Sequence, residues 1–104
     1  MTSLTQAAIL AVLTRGKSYG LEIIDQVRER TGGSITLLEG TVYPALRAME
    51  RDGLLRSFDG EPVPERGGRP RRYYELTGEG RRAATEQRQA LSGLFGLVPT
   101  EALT

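Results

Sequence analysis

The sequence predicts a mainly α fold with one small β-hairpin. Three observations carry this prediction. The first half holds three helix-length apolar patterns separated by glycine-containing breaks. Two short alternating segments then flank a Gly- and Pro-rich stretch. A last amphipathic segment runs from Gly78 to about Leu97, with Thr77 as its cap. At 104 residues the chain is expected to form one compact unit.

The first helix is expected over Leu4–Leu13. Ala7 to Leu13 has no polar break, and a helix that is apolar all round is buried all round. In so short a chain, both faces are covered only if a second copy covers one. Ser18 is the expected cap of a second helix, with Glu22 early in it to suit the macrodipole. Leu21, Ile23, Ile24 and Val27 form its apolar stripe, and Thr31-Gly32-Gly33 stops it. Ser34–Leu38 reads as an apolar connector or a brief strand.

A third helix should start near Glu39-Gly40-Thr41 and end near Asp52-Gly53. Pro44 is expected in its first turn, where a missing N–H costs nothing. Val42, Ala45, Leu46 and Met49 form the inward stripe; Tyr43, Arg47 and Arg51 share another face. Leu54–Phe58 and Arg71–Leu76 read as strands, with Tyr74 and Leu76 on one side and Tyr73 and Glu75 on the other. Asp59–Pro70 reads as their loop. Thr77 caps the final helix, and Pro99 marks its end or lies just beyond. Three helices followed by a hairpin make a winged helix-turn-helix, here with a C-terminal dimerisation helix. The expected division is a DNA-binding domain over residues 1–76, then a dimerisation helix and short tail over 77–104.

Composition narrows the function classes. His and Cys are absent, which removes imidazole bases, thiolate nucleophiles, disulfides and Cys/His zinc sites together. The acids Glu39, Glu50, Asp52 and Asp59 form no motif that pairs an acid with a base. No catalytic residue, metal site or cofactor is assigned, and an enzyme is not expected. No apolar run approaches the ~20 residues of a membrane span, and the N-terminus lacks signal-peptide character. The cytoplasm is therefore the expected location.

The net charge is only +1, so the distribution of charge is more informative than its sum. Lys17 is the sole lysine among 14 basic residues. Arginine is the better side chain for bidentate contacts to phosphate and guanine. Thr41, Tyr43 and Pro44 lie near the start of the third helix, and Arg47 and Arg51 follow. A recognition helix presents such residues to base edges in the major groove. By spacing alone, an ordinary solvated face fits them too. Arg66, Arg69, Arg71 and Arg72 fall in a stretch without an acid, at the tip of the hairpin, and suit phosphate or minor-groove contacts. Glu61 and Glu65, just upstream, dilute that field.

The oligomer reading rests on the first and last helices. A helix of ~20 residues is ~30 Å long, as long as such a domain is wide, so part of it must project. Leu4, Ala8, Ala11, Val12, Ala84, Leu91, Leu94, Phe95 and Val98 are the expected dimerisation residues. Leu10, Leu13, Leu91 and Phe95 are the candidate lining of an effector pocket in the dimer cleft. The expected partners are double-stranded DNA, a second copy and a small-molecule effector. The alternative is a winged-helix protein-interaction module without sequence-specific DNA binding.

Three stretches also carry a family resemblance. Gly40 to Leu55 (GTVYPALRAMERDGLL) resembles the recognition-helix signature of the PadR family of bacterial transcriptional regulators. Gly68 to Gly80 (GRPRRYYELTGEG) is similar to that family's wing and the opening of its last helix. Ser18 to Ile23 (SYGLEI) is similar to the start of its second helix. The resemblance spans about Leu4 to Leu97. It implies a winged-helix dimer joined through the first and last helices, usually a repressor and often responsive to small ligands. It also implies that Tyr43 and its neighbours enter the major groove while Arg69 and Arg71 hold the wing to DNA. The chain looks like the short subtype, with a single C-terminal helix. It has no Trp, and Phe95 is the only aromatic residue after Tyr74, so a site that stacks planar ligands is not expected.

Overall fold

The computed structural model describes residues 3–96. The elements run α1 (Leu4–Leu13), β1 (Ser18–Tyr19), α2 (Gly20–Arg30), α3 (Glu39–Arg51), β2 (Leu55–Pro62), a 3-10 turn (Pro64–Arg66), β3 (Pro70–Leu76) and α4 (Gly78–Phe95). The strands form one antiparallel sheet in the order β1-β3-β2. This is a winged helix followed by a long C-terminal helix, as the sequence predicts.

A capping box starts α1. The Ser3 hydroxyl accepts from the Gln6 N–H, and the Gln6 amide oxygen accepts from the Ser3 N–H. Ile9, Leu10, Val12 and Leu13 point into the chain's own core, while Leu4 and Ala11 stay exposed. The helix is therefore uncovered on one side, as its composition implied. Val12 departs from its expected role. At 2% exposure it belongs to the core and offers nothing to a second copy.

Ser18 does not cap α2. Its backbone pairs with Tyr74 of β3, so Tyr19 takes the N-cap position and makes no side-chain capping bond. The Ser18 hydroxyl is fully buried, donates to Glu22 Oε1 at 2.6 Å and accepts from Gln26 Nε2 at 3.4 Å. The inward stripe of α2 is Gly20, Ile23, Ile24 and Val27, a strict i, i+3, i+4, i+7 set. Leu21 lies off it and is 50% exposed. The sequence pattern misplaced the stripe because Gly20, its first member, has no side chain to register as apolar.

No strand forms over Ser34–Leu38. Leu37 is buried and Leu38 is exposed. In α3, Val42, Leu46 and Met49 are fully buried and make up the centre of the core with Ile9 and Ile23. The helix begins at Glu39, with the Thr41 and Val42 N–H groups both donating to the Leu38 carbonyl at 2.9 Å. Pro44 therefore sits in the second turn, not the first. There its missing N–H does remove a helical bond, the one to the Gly40 carbonyl.

The hairpin is more ordered than its Gly and Pro content suggested. β2 continues through Asp59 to Pro62, with a register irregularity between those two residues. The tip is closed by Gly68 N–H to Val63 O at 3.1 Å and Val63 N–H to Arg69 O at 3.3 Å, with Gly67 and Gly68 both at positive φ. Tyr74 and Leu76 face the core and Tyr73 and Glu75 face away, as expected.

Thr77 fastens α4 to the rest. Its hydroxyl accepts from the Gly80 N–H and donates to the Gly53 carbonyl at 2.6 Å, and its N–H donates to the Leu54 carbonyl at 3.0 Å. Gly80 and Ala84 are buried; beyond them Leu91, Leu94 and Phe95 are exposed. Gly96, in the left-handed region, ends the helix. Leu97, Val98 and Pro99 lie outside the described residues.

Candidate nucleic-acid interface

The solvent side of α3 carries Thr41, Pro44, Arg47 and Arg51, all exposed. Burial of Val42, Leu46 and Met49 fixes that orientation, because the opposite face of the same helix must then point out. Among the described residues Arg47 has no ion pair or side-chain hydrogen bond. Arg51 lies 3.6 Å from Asp52, an exposed pair of little energetic weight.

Tyr43 differs from the freely exposed side chain that the spacing suggested. It is half-buried and packed against the core, with its ring over the first residue of α2. A Cβ at Gly20 would stand 2.5 Å from the Tyr43 ring, so only glycine allows this approach. Burial, followed by the charge of Glu39, pushes the Tyr43 phenol up from its ordinary value. Tyr43 and Gly20 then form one wall of a cleft of about 380 Å³ whose other walls include Arg66, Arg71, Arg72 and Tyr74. The fold thus brings Tyr43 of the third helix up to three of the four wing arginines, although they are far apart in sequence.

Each wing arginine is already positioned. Arg66 Nη1 donates to the Pro70 carbonyl at 2.7 Å, and Arg69 Nε donates to the Arg66 carbonyl at 2.9 Å. The Arg71 guanidinium lies 4.6 Å from the centre of the Tyr19 ring, a cation–π contact. Arg72 meets Asp59 across the hairpin at 3.3 Å. The stretch has no acid in sequence, but pairing in the sheet supplies one. Burial also pushes the Tyr74 phenol up, partly offset by Arg72.

Sequence reasoning missed the outer face of the sheet. Tyr73 stacks on Phe58 and meets Tyr19 edge-on, and the Lys17 ammonium lies 5.4 Å from both the Phe58 and the Tyr73 ring centres. Lys17 and Tyr19 reach this face only through the two-residue strand β1, which is too short to leave a periodic signal. Among the described residues no cluster of acidic, His or Cys side chains could hold a metal ion. No helix among them is long and apolar enough to cross a membrane.

A second concavity lies between α1 and α4, about 470 Å³ in volume. Of the four residues expected to line an effector pocket, Leu10 and Leu91 reach it. Leu13 is buried in the core, and Phe95 lies outside the lining. Of the expected dimerisation residues, Leu4, Ala11, Leu91, Leu94 and Phe95 are exposed and Ala8 is half-buried. Ala84, like Val12, is buried within the chain itself.

Known proteins are similar to this chain in sequence and in fold. A transcriptional regulator of Mycobacterium tuberculosis is 49% identical over 55 residues, which cover 53% of this chain and 48% of that protein, so the match spans about half of the relative. A PadR family transcription regulator from Clostridium difficile R20291 is 34% identical with a TM-score of 0.76, over 90% of this chain and 93% of that one. Bacillus subtilis PadR in complex with operator DNA has the same fold, with a TM-score of 0.70 at 20% identity over 80% of this chain and 45% of that one. Residues 9–86 match the Transcriptional regulator PadR-like family, and with the winged helix and its long last helix in place, the chain belongs to that family.

Proposed function

We propose that the chain is a sequence-specific DNA-binding regulator, a repressor that acts as a homodimer on a pseudo-palindromic operator and is relieved by a small-molecule effector. The observation that carries this reading is the joined surface of α3 and the wing. Exposed Arg47 and Arg51 lie on the same helix as Tyr43, which shares a cleft with Arg66, Arg71 and Arg72. In this reading α3 enters the major groove, with Thr41, Tyr43, Pro44, Arg47 and Arg51 toward the bases, while Arg66, Arg69, Arg71 and Arg72 engage the backbone. The relative crystallised with operator DNA supports the same use of the fold.

Residues 1–76 then read DNA and residues 77–104 join two copies. The distal part of α4 supports this: Leu94 and Phe95 are 78% and 73% exposed, on a helix that projects beyond its own core. An isologous interface of this kind sets two α3 helices on half-sites about 34 Å apart. The interaction-module reading draws on the acids Asp52 and Asp59, which partly neutralise Arg51 and Arg72.

Fluorescence anisotropy on DNA from upstream of the chain's own gene separates these readings. The regulator reading expects binding ~10³-fold tighter than to scrambled DNA, saturating at two chains per site. Absence of binding even at low salt contradicts it and favours the interaction module.

A further inference from the structure

We propose that Leu38 is a specificity residue that reads thymine, its side chain packing on the C5-methyl group of one thymine in each operator half-site. This role rests on the regulator reading and carries it one step further, to a base that α3 selects.

Leu38 holds the N-cap of α3, at the end that a recognition helix sets against base edges. An N-cap favours Ser, Thr, Asp or Asn, whose side-chain oxygen accepts a free helix N–H. Ser3 at α1 and Thr77 at α4 do this. Leu38 makes no side-chain capping bond, and leucine is among the poorest residues for the position. Tyr19, at the start of α2, also lacks a capping bond, but its pairing with Tyr73 in the sheet accounts for its place. Leu38 lies in no strand.

Packing does not account for it either. Leu37 is buried at 6% exposure, whereas Leu38 is 67% exposed. The chain thus sends one leucine into the core and turns the next one out, at a position where a polar side chain would also cap the helix. A lone exposed leucine is ordinary on most of a protein surface. An apolar residue that breaks the capping rule at one end of a candidate site points to function.

The neighbours of Leu38 suit a base edge and not a phosphate. Glu39 follows it, exposed and, among the described residues, without an ion pair or a side-chain hydrogen bond. An acid is repelled by the DNA backbone, and a leucine gains nothing from it. Exposed Thr41 lies three residues on, at the same end of the helix. In the major groove the thymine methyl group is the apolar feature, and an apolar side chain is its partner. Arg47, further along α3, is the residue type suited to guanine.

The test uses an operator that the full chain itself enriches from random duplexes. Each thymine of a half-site is then replaced singly by deoxyuridine, which pairs identically and lacks only the methyl group. Affinities are read by anisotropy for the wild type, Leu38→Ser and Leu38→Ala. One replacement per half-site should weaken the wild type about three- to five-fold, the value of one buried methyl group. Both variants should bind the thymine and deoxyuridine duplexes alike at that position and keep the wild-type response at every other. Leu38→Ser supplies the missing cap and should melt no lower than the wild type, so its lost preference is not lost folding. Deoxyuridine tolerated by the wild type at every position overturns the proposal. So does a penalty that persists in both variants, or an enriched half-site without thymine. Failure of the regulator reading itself looks different: no sequence is enriched and all duplexes bind alike, and the role of Leu38 falls with it.

Discussion

Gly80→Ala tests the joint that fixes α4 to the winged helix. Gly80 is buried in the first turn of α4, against the turn that links α3 to β2. A Cβ there would stand 2.1 Å from the Leu54 carbonyl oxygen, where ordinary contact begins at 3.4 Å. The obstacle is backbone, and that carbonyl already accepts the Thr77 N–H at 3.0 Å. The start of α4 must therefore move away, which breaks this bond and strains the Thr77 hydroxyl bond to Gly53. Overpacking costs about 1–3 kcal/mol, and each lost hydrogen bond about 1 kcal/mol. Helix propensity returns at most about 1 kcal/mol. The expected net loss is about 2–4 kcal/mol, or a fall in Tm on the order of 10–20 °C, read by circular dichroism at fixed protein concentration. Gly78→Ala, two residues earlier with open space around it, is the control and should be neutral or slightly stabilising. Equal melting temperatures for the two variants would refute the argument.

Three further outcomes follow from the same geometry. Ser18→Ala removes the buried hydroxyl that donates to Glu22 and should cost about 1–3 kcal/mol in urea unfolding, with m unchanged; a change within ~0.5 kcal/mol contradicts the network. Gly20→Ala drives a methyl group into the Tyr43 ring, which is mobile enough to swing aside. Stability should therefore stay within ~1 kcal/mol while operator affinity falls, and unchanged affinity would separate Tyr43 from DNA binding. Leu94→Glu with Phe95→Glu should leave helix content intact and shift sedimentation equilibrium to the monomer; an unshifted dimer removes the end of α4 from the interface.

Much of the fold was legible because it rests on short-range signals. The core faces of α3 and β3 could be read from Val42, Leu46 and Met49 and from Tyr74 and Leu76, where apolar side chains repeat with the period of their element. The failures have physical causes as well. Strand β1 is two residues long and exists only because β3 offers an edge, so nothing local to Ser18 and Tyr19 announced it. That edge pairing also took Ser18 out of the cap position. β2 runs on through Gly60 and Pro62, residues that read as breakers, because β3 pairs with it up to Pro62↔Pro70. At the candidate site the residue types were legible and their assembly was not. The approach of Tyr43 to Gly20, and of both to the wing, depends on how α2, α3 and the sheet pack.

In the proposed reading α3 and the wing form one DNA-reading surface with divided roles. The most direct measurement is the salt dependence of anisotropy-detected binding for the wild type, Arg47→Ala and Arg69→Ala/Arg71→Ala, on an operator and on scrambled DNA. Arg47→Ala is expected to cost about 1–3 kcal/mol on the operator and much less on the scramble. The wing variant is expected to weaken both alike and to flatten the salt slope by about one unit per lost phosphate contact. Operator binding by all three proteins with the same affinity and the same slope would contradict it.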